Sequence, residues 1–140
     1  MSKINVGVIG VGQMGTYHAQ IYQKLPQVEL CALCEFNDSR RKELETEFPG
    51  ITLYKDYKEL LKDTAIEALS IVLPDNLHRE AVELAVQAGK HILLEKPLAK
   101  ELEDGKAYMK LQRIMIKYLQ QASCFASIRA LHDQGAAGQQ

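Results

Sequence analysis

Within the stretch VGVIGVGQMG, Gly10, Gly12 and Gly15 stand in the spacing G-x-G-x-x-G. Between a strand and a helix, glycines so spaced let the backbone wrap an anion. Gly10 permits a tight turn, Gly12 lets a pyrophosphate approach the main chain, and Gly15 lets helix and strand pack closely. A helix opening at Met14, with Gln13 just before it, would add free N–H groups and a positive dipole end for the phosphates. Glu35, in CALCEFN, stands about 20 positions after the last glycine, at the end of the next apolar run. A carboxylate there can accept hydrogen bonds from both hydroxyls of a ribose and repels a 2′-phosphate. The expected cofactor is therefore NAD. NADP stays possible because Arg40 and Arg41 follow and would pair with a 2′-phosphate if the loop curled back. The plainer reading of these arginines is the start of an exposed helix.

Two further loops carry chemistry. In GKHILLEKPLA, Glu95, Lys96 and Pro97 follow a buried apolar run, and in an open parallel sheet that edge is where ligands bind. A lysine held there can reach a substrate oxygen, stabilise developing alkoxide charge or hydrogen-bond a cofactor. In LPDNLHREAVELA, Leu73, Pro74, Asn76 and His78 can line a nicotinamide ribose. His18, His91 and His132 lack such placement and read as structural. Cys31 and Cys34 form a C-x-x-C, but no second pair or histidine lies at zinc spacing, and no metal site is expected. They read as two small residues buried in the run VELCALC, on opposite faces of a strand.

These loops need elements to hold them. INVGVIG reads as a first strand, apolar enough to be buried on both faces. Met14 to Lys24 reads as a helix, stopped near Pro26, and VELCALC as a second strand. Asp38 is a plausible N-cap for a helix that turns Leu44 and Phe48 inward and ends at Pro49-Gly50. ITLY is a short third strand, after which Asp56 caps a short helix through Leu61. EALSIVL is a fourth strand. Leu77 to Ala88 forms a helix with Leu77, Ala81, Leu84, Ala85 and Ala88 on one stripe, and HILLE is a fifth strand. Strand–helix alternation with short connections predicts an α/β fold, a doubly wound parallel sheet with helices on both faces.

Composition agrees with one soluble domain. The 140 residues are 46% hydrophobic and 25% charged, with a formal net charge of -1. Such a balance gives no electrostatic reason to expect nucleic acid or an anionic membrane as partner. No apolar run is long enough for a signal peptide or a membrane span. Three cysteines without an export signal point to a reduced, cytoplasmic setting.

The segments VGVIGVGQMGTYHAQIY and LPDNLHREAVELAVQAGKHILLEKPLA, with Glu35 between them, resemble the Gfo/Idh/MocA oxidoreductases, which act on sugars, inositols and related polyols with NAD(P). The resemblance runs from about residue 4 to residue 109 and covers only the first third of a typical member. It implies that Lys96 takes part in catalysis and in the cofactor site. It also implies that the substrate, with a histidine and an aspartate for proton transfer, lies on a second α/β domain absent from this chain. The family's usual acidic residue after the second strand is aspartate, so Glu35 is a conservative departure. The implied reaction is hydride transfer between a carbinol carbon and nicotinamide, although this chain alone is not expected to turn over substrate. The alternatives are a non-catalytic dinucleotide-binding module and an inactive remnant.

Residues 1–110 thus form the NAD(P)-binding domain, and residues 111–140 an atypical tail, helical and then disordered. Leu111, Ile114, Met115, Tyr118, Leu119 and Ala122 share one helical stripe. The family's sixth strand, with its arginine-containing end, is missing from the tail. One permitted codon set from Leu111 onward, with a single G inserted, reads LAKNNDKIFAAGILFRVDKS, which carries that strand. The tail is therefore expected to be out of frame. A sheet without its sixth strand and second domain exposes an edge and an apolar face, so oligomers or aggregates are expected.

Overall fold

The computed structural model describes residues 3–94, with the expected alternation of strands and helices. Strand β1 is Ile4–Ile9, β2 Val28–Cys34, β3 Thr52–Tyr54, β4 Ala68–Ile71 and β5 His91–Leu94. Helices are α1 Gln13–Lys24, α2 Asp38–Glu47, α3 Tyr57–Leu61 and α4 His78–Gln87, the last entered through a 3-10 turn at Asp75–Leu77. The strands form one sheet in the order β3-β2-β1-β4-β5, and every pairing is parallel. The order reverses between β1 and β4, leaving a crevice at the carboxyl ends of those strands, where open α/β sheets bind ligands.

Two apolar layers sandwich the sheet. On one face Val6, Val8, Leu30 and Leu33 pack with Ala19 and Tyr22 of α1, Leu44 of α2 and the adjoining Phe48. On the other, Ile9, Ala32, Leu69 and Ile71 pack with Leu60 and Leu61 of α3 and with Ala81, Val82 and Ala85 of α4. Strands buried from both sides have no polar face to show, which is why their sequences run nearly continuously apolar.

The structure changes several sequence-based expectations. The register of β1 against β2 slips by one: Val6 pairs with Leu30 but Gly7 with Ala32, leaving Cys31 as the extra residue. A one-residue slip inverts the side-chain alternation, so Leu30 and Leu33 share one layer while Cys31 and Cys34 both belong to the other. The cysteines therefore do not point to opposite faces, and both are free thiols. Burial pushes the Cys34 thiol up to about 12, which keeps it protonated and unreactive.

Asn37, not Asp38, caps α2. Its backbone is extended and its side chain accepts from the N–H of Arg40, while Asp38 occupies the first helical position and pairs with Arg41 at 2.6 Å. Asp56 caps α3 as expected, accepting from Lys58 N–H. In α4 the buried stripe is His78, Ala81, Val82 and Ala85. Leu77 lies outside it, 45% exposed, because the 3-10 turn rotates the chain before the α-helix begins.

Candidate functional site

The glycine loop leaves β1 at the crevice. Gly10 adopts φ 86°, and a Cβ there would lie 2.5 Å from the carbonyl oxygen of Val72 after β4, so both conformation and space demand glycine. A Cβ on Gly15 would stand 1.9 Å from the carbonyl oxygen of Gly10, at the start of the same loop. Gly12 differs: its φ is -76°, and nothing lies within 4 Å of where its Cβ would be. Among the described residues nothing requires glycine there. The site is an open cradle that any side chain would fill.

Helix α1 begins at this cradle with Gly12 as N-cap and no side-chain cap. Thr16 N–H is the first to donate back, to Gly12 O at 3.0 Å. Among the described residues, the N–H groups of Gly12, Gln13, Met14 and Gly15 have no hydrogen-bond acceptor. The side chains of Gln13 and Met14 are exposed beside them. Unsatisfied N–H groups at a helix's positive end, with no Cβ in the way, form an anion site suited to phosphate.

Glu35 follows β2 and reaches the loop. Its Oε2 accepts from Val11 N–H at 2.9 Å and its Oε1 from Asn37 N–H at 3.1 Å. An ionised carboxylate has about four acceptor positions, so each oxygen retains capacity for a hydroxyl donor. Next to it Phe36 is 80% exposed, in a protein whose other phenylalanine among the described residues is buried.

The arginines are more than an exposed helix start. Arg40 has a side chain only 22% exposed. Its Nε donates to Val11 O at 2.9 Å, and a terminal nitrogen donates to Thr16 Oγ1 at 2.6 Å. The other terminal nitrogen meets Glu43 at 2.9 Å and Glu47 at 2.8 Å. The hydrogen bond from Arg40 holds the Glu47 carboxyl below its usual range. Arg41 donates to the carbonyl of Glu35 at 3.0 Å and, through its bond to Asp38, holds that carboxyl low. Sequence reading missed Thr16 and Phe36, and it weighed Arg40 only as a 2′-phosphate partner or an exposed helix start. The Asn37-x-x-Arg40 cap spacing could have placed Arg40 at the third helical position, but its reach to the loop depends on how α2 meets β1.

At the end of β4, Leu73 is half-buried and Pro74 and Asn76 are exposed. His78 is buried, and its Nε2 donates to the carbonyl of Leu73, fastening the loop instead of facing the crevice. Its Nδ1 is buried without a hydrogen-bond partner among the described residues. His18 is structural, as expected: it is buried, with Nδ1 3.1 Å from Ser70 Oγ. The structure therefore brings together Gly10, Gly12, Gln13, Met14, Gly15, Glu35 and Leu73 at one sheet edge. Glu95, Lys96 and Pro97 lie outside the described residues, as do His132 and the tail.

A glycine loop crossing from β1 into α1 at the switch point, with an acidic residue after β2, defines a dinucleotide-binding Rossmann domain. Residues 4–123 match the sequence profile described as oxidoreductase family, NAD-binding Rossmann fold, and the chain belongs to this Gfo/Idh/MocA family. It is 33% identical over 101 residues to myo-inositol 2-dehydrogenase of Thermotoga maritima, covering 72% of this chain and 30% of that protein. It is 34% identical over 115 residues to levoglucosan dehydrogenase of Pseudarthrobacter phenanthrenivorans, covering 76% of this chain and 30% of that protein. Among solved structures, apo scyllo-inositol dehydrogenase from Lactobacillus casei superposes with a TM-score of 0.75 at 25% identity, covering 82% of this chain and 34% of that one. The chain thus spans about a third or less of the length of these relatives. Among the described residues no helix is long and apolar enough to cross a membrane.

Proposed function

We propose that this chain binds NAD at the glycine loop, as the cofactor half of an oxidoreductase acting on a sugar, inositol or related polyol. The observation that carries the reading is the Gly12 cradle, whose N–H groups and open Cβ position suit a ligand and meet no partner among the described residues. The pyrophosphate rests on the N–H groups of Gly12, Gln13, Met14 and Gly15. The adenosine ribose hydroxyls donate to the spare acceptor positions of Glu35. The exposed ring of Phe36 offers a face to the adenine, since aromatic rings stack on bases. Leu73, Pro74 and Asn76 border the nicotinamide ribose, with His78 holding their loop in place.

When bound, the nicotinamide supplies the hydride acceptor or donor. The residues of this chain bind and orient it, and Lys96 is the group proposed to act at the reacting oxygen. Glu35 favours NAD over NADP because a 2′-phosphate would meet its negative charge. A relative, scyllo-inositol 2-dehydrogenase of Bacillus subtilis, 31% identical over 107 residues, is named for NADP, so the preference needs its own test. A cytoplasmic location and association into homo-oligomers belong to the same proposal, and turnover of substrate by this chain alone does not.

Calorimetric titration of the chain with NADH and NADPH tests the reading. NADH binding that is tighter than NADPH binding supports it, and absence of binding to both overturns it.

A further inference from the structure

The Val11 peptide, between the first two glycines, is held from both sides. Its N–H donates to Glu35 at 2.9 Å and its carbonyl accepts from Arg40 Nε at 2.9 Å. One residue later, the Gly12 carbonyl accepts from Thr16 Oγ1 at 2.6 Å, and that same hydroxyl oxygen accepts from Arg40 at 2.6 Å. The carbonyls at the crest of the loop are thereby turned toward α2 and α1, and the N–H groups that follow are left for a ligand. The guanidinium is set in turn by Glu43 and Glu47 on the next turns of α2, and its own backbone by the Asn37 cap. Its planar fork suits this task, because contacts in different directions are met by one rigid group, which an ammonium cannot do.

We propose that Arg40 is a positioning residue for the cofactor's pyrophosphate, acting through Val11 and Thr16 and not by touching the cofactor. Glu47 and Glu43 are the counter-charges that keep it there. This goes beyond the NAD-binding reading and rests on it. It predicts that Arg40 governs affinity for any dinucleotide through the phosphates and contributes little to recognition of the adenosine end, which Glu35 and Phe36 face.

The test measures binding of NADH by calorimetry and of adenosine by NMR titration, for the wild-type chain, Arg40→Ala, Arg40→Lys and Thr16→Val. Loss of a charge-assisted hydrogen bond predicts an NADH affinity about tenfold weaker for Arg40→Ala. Arg40→Lys should fail to restore it. Thr16→Val, which removes the contact from the loop side and leaves α2 intact, should weaken NADH in the same direction. Adenosine affinity should change by less than about twofold in each, since that ligand carries no phosphate for the anion site. Wild-type NADH affinity in both Arg40→Lys and Thr16→Val overturns the proposal. So does equal loss of NADH and adenosine in Thr16→Val, which would mark a general structural role. If the wild-type chain itself does not bind NADH, the underlying cofactor reading is what has failed.

Discussion

A Cβ on Gly15 would stand 1.9 Å from the carbonyl oxygen of Gly10, whereas one on Gly12 would meet nothing within 4 Å. Two glycines of one motif therefore differ: the fold requires one, and the other is proposed to serve the ligand. Gly15→Ala should disrupt the turn between β1 and α1 and lower the melting temperature sharply, by a cost of roughly 1–3 kcal/mol or more, as for other overpacked sites. Gly12→Ala should melt like the wild type yet lose NADH binding by at least about tenfold. Thermal unfolding and titration of both variants check this, and a Gly12→Ala chain that binds normally counts against the anion site.

Glu35, the proposed ribose ligand, is tied to the glycine loop through Val11 and to the start of α2 through Asn37. Glu35→Ala should weaken NADH by about tenfold or more, the cost of losing hydrogen bonds to a charged acceptor. It should weaken NADPH less, because the charge that repels a 2′-phosphate is gone. A variant with an unchanged NADH to NADPH ratio would show that specificity lies elsewhere.

The pair between Arg40 and Glu47 gives a pH signature. The folded state holds the Glu47 carboxyl below its ordinary value of 4.5, so the folded protein stays ionised there when the unfolded chain already takes up a proton. Its stabilising contribution is complete above that ordinary value and disappears as pH falls through the lower folded one. The site is partly solvent-exposed, so the contribution should be under about 1 kcal/mol. Urea unfolding measured below pH 4.5 should fall less steeply with acid in Glu47→Gln than in wild type. Parallel slopes would remove the ion pair from the account of acid stability.

The reading frame of the tail is open to direct test. Sequencing the coding DNA from codon 111 should reveal a frame that a single inserted base converts to the strand-bearing segment. Codons incompatible with that second frame would end the proposal that residues 111–140 are out of frame.

Much of the fold was readable because burial on both sheet faces writes long apolar runs into the strands, and turn chemistry punctuates them. The glycine spacing and Glu35 were readable for a similar reason: their roles depend on local backbone geometry next to a strand end. What escaped was whatever depends on the angle or register at which two elements meet. The bulge at Cys31 is invisible in VELCALC, since either parity satisfies an apolar run buried on both faces. The 3-10 entry to α4 moved Leu77 out of the stripe that spacing alone assigned to it.

By itself, then, the order of residues determined a parallel α/β sheet with an anion loop after β1 and an acidic partner after β2, because each is set within a few residues of chain. Only the tertiary structure decided that Gly15 is needed by the fold while the Cβ position of Gly12 is open among the described residues, that His78 turns back onto Leu73, and that Arg40 grips the loop. Each of these depends on groups brought together by packing, across gaps in the chain that local preference does not span.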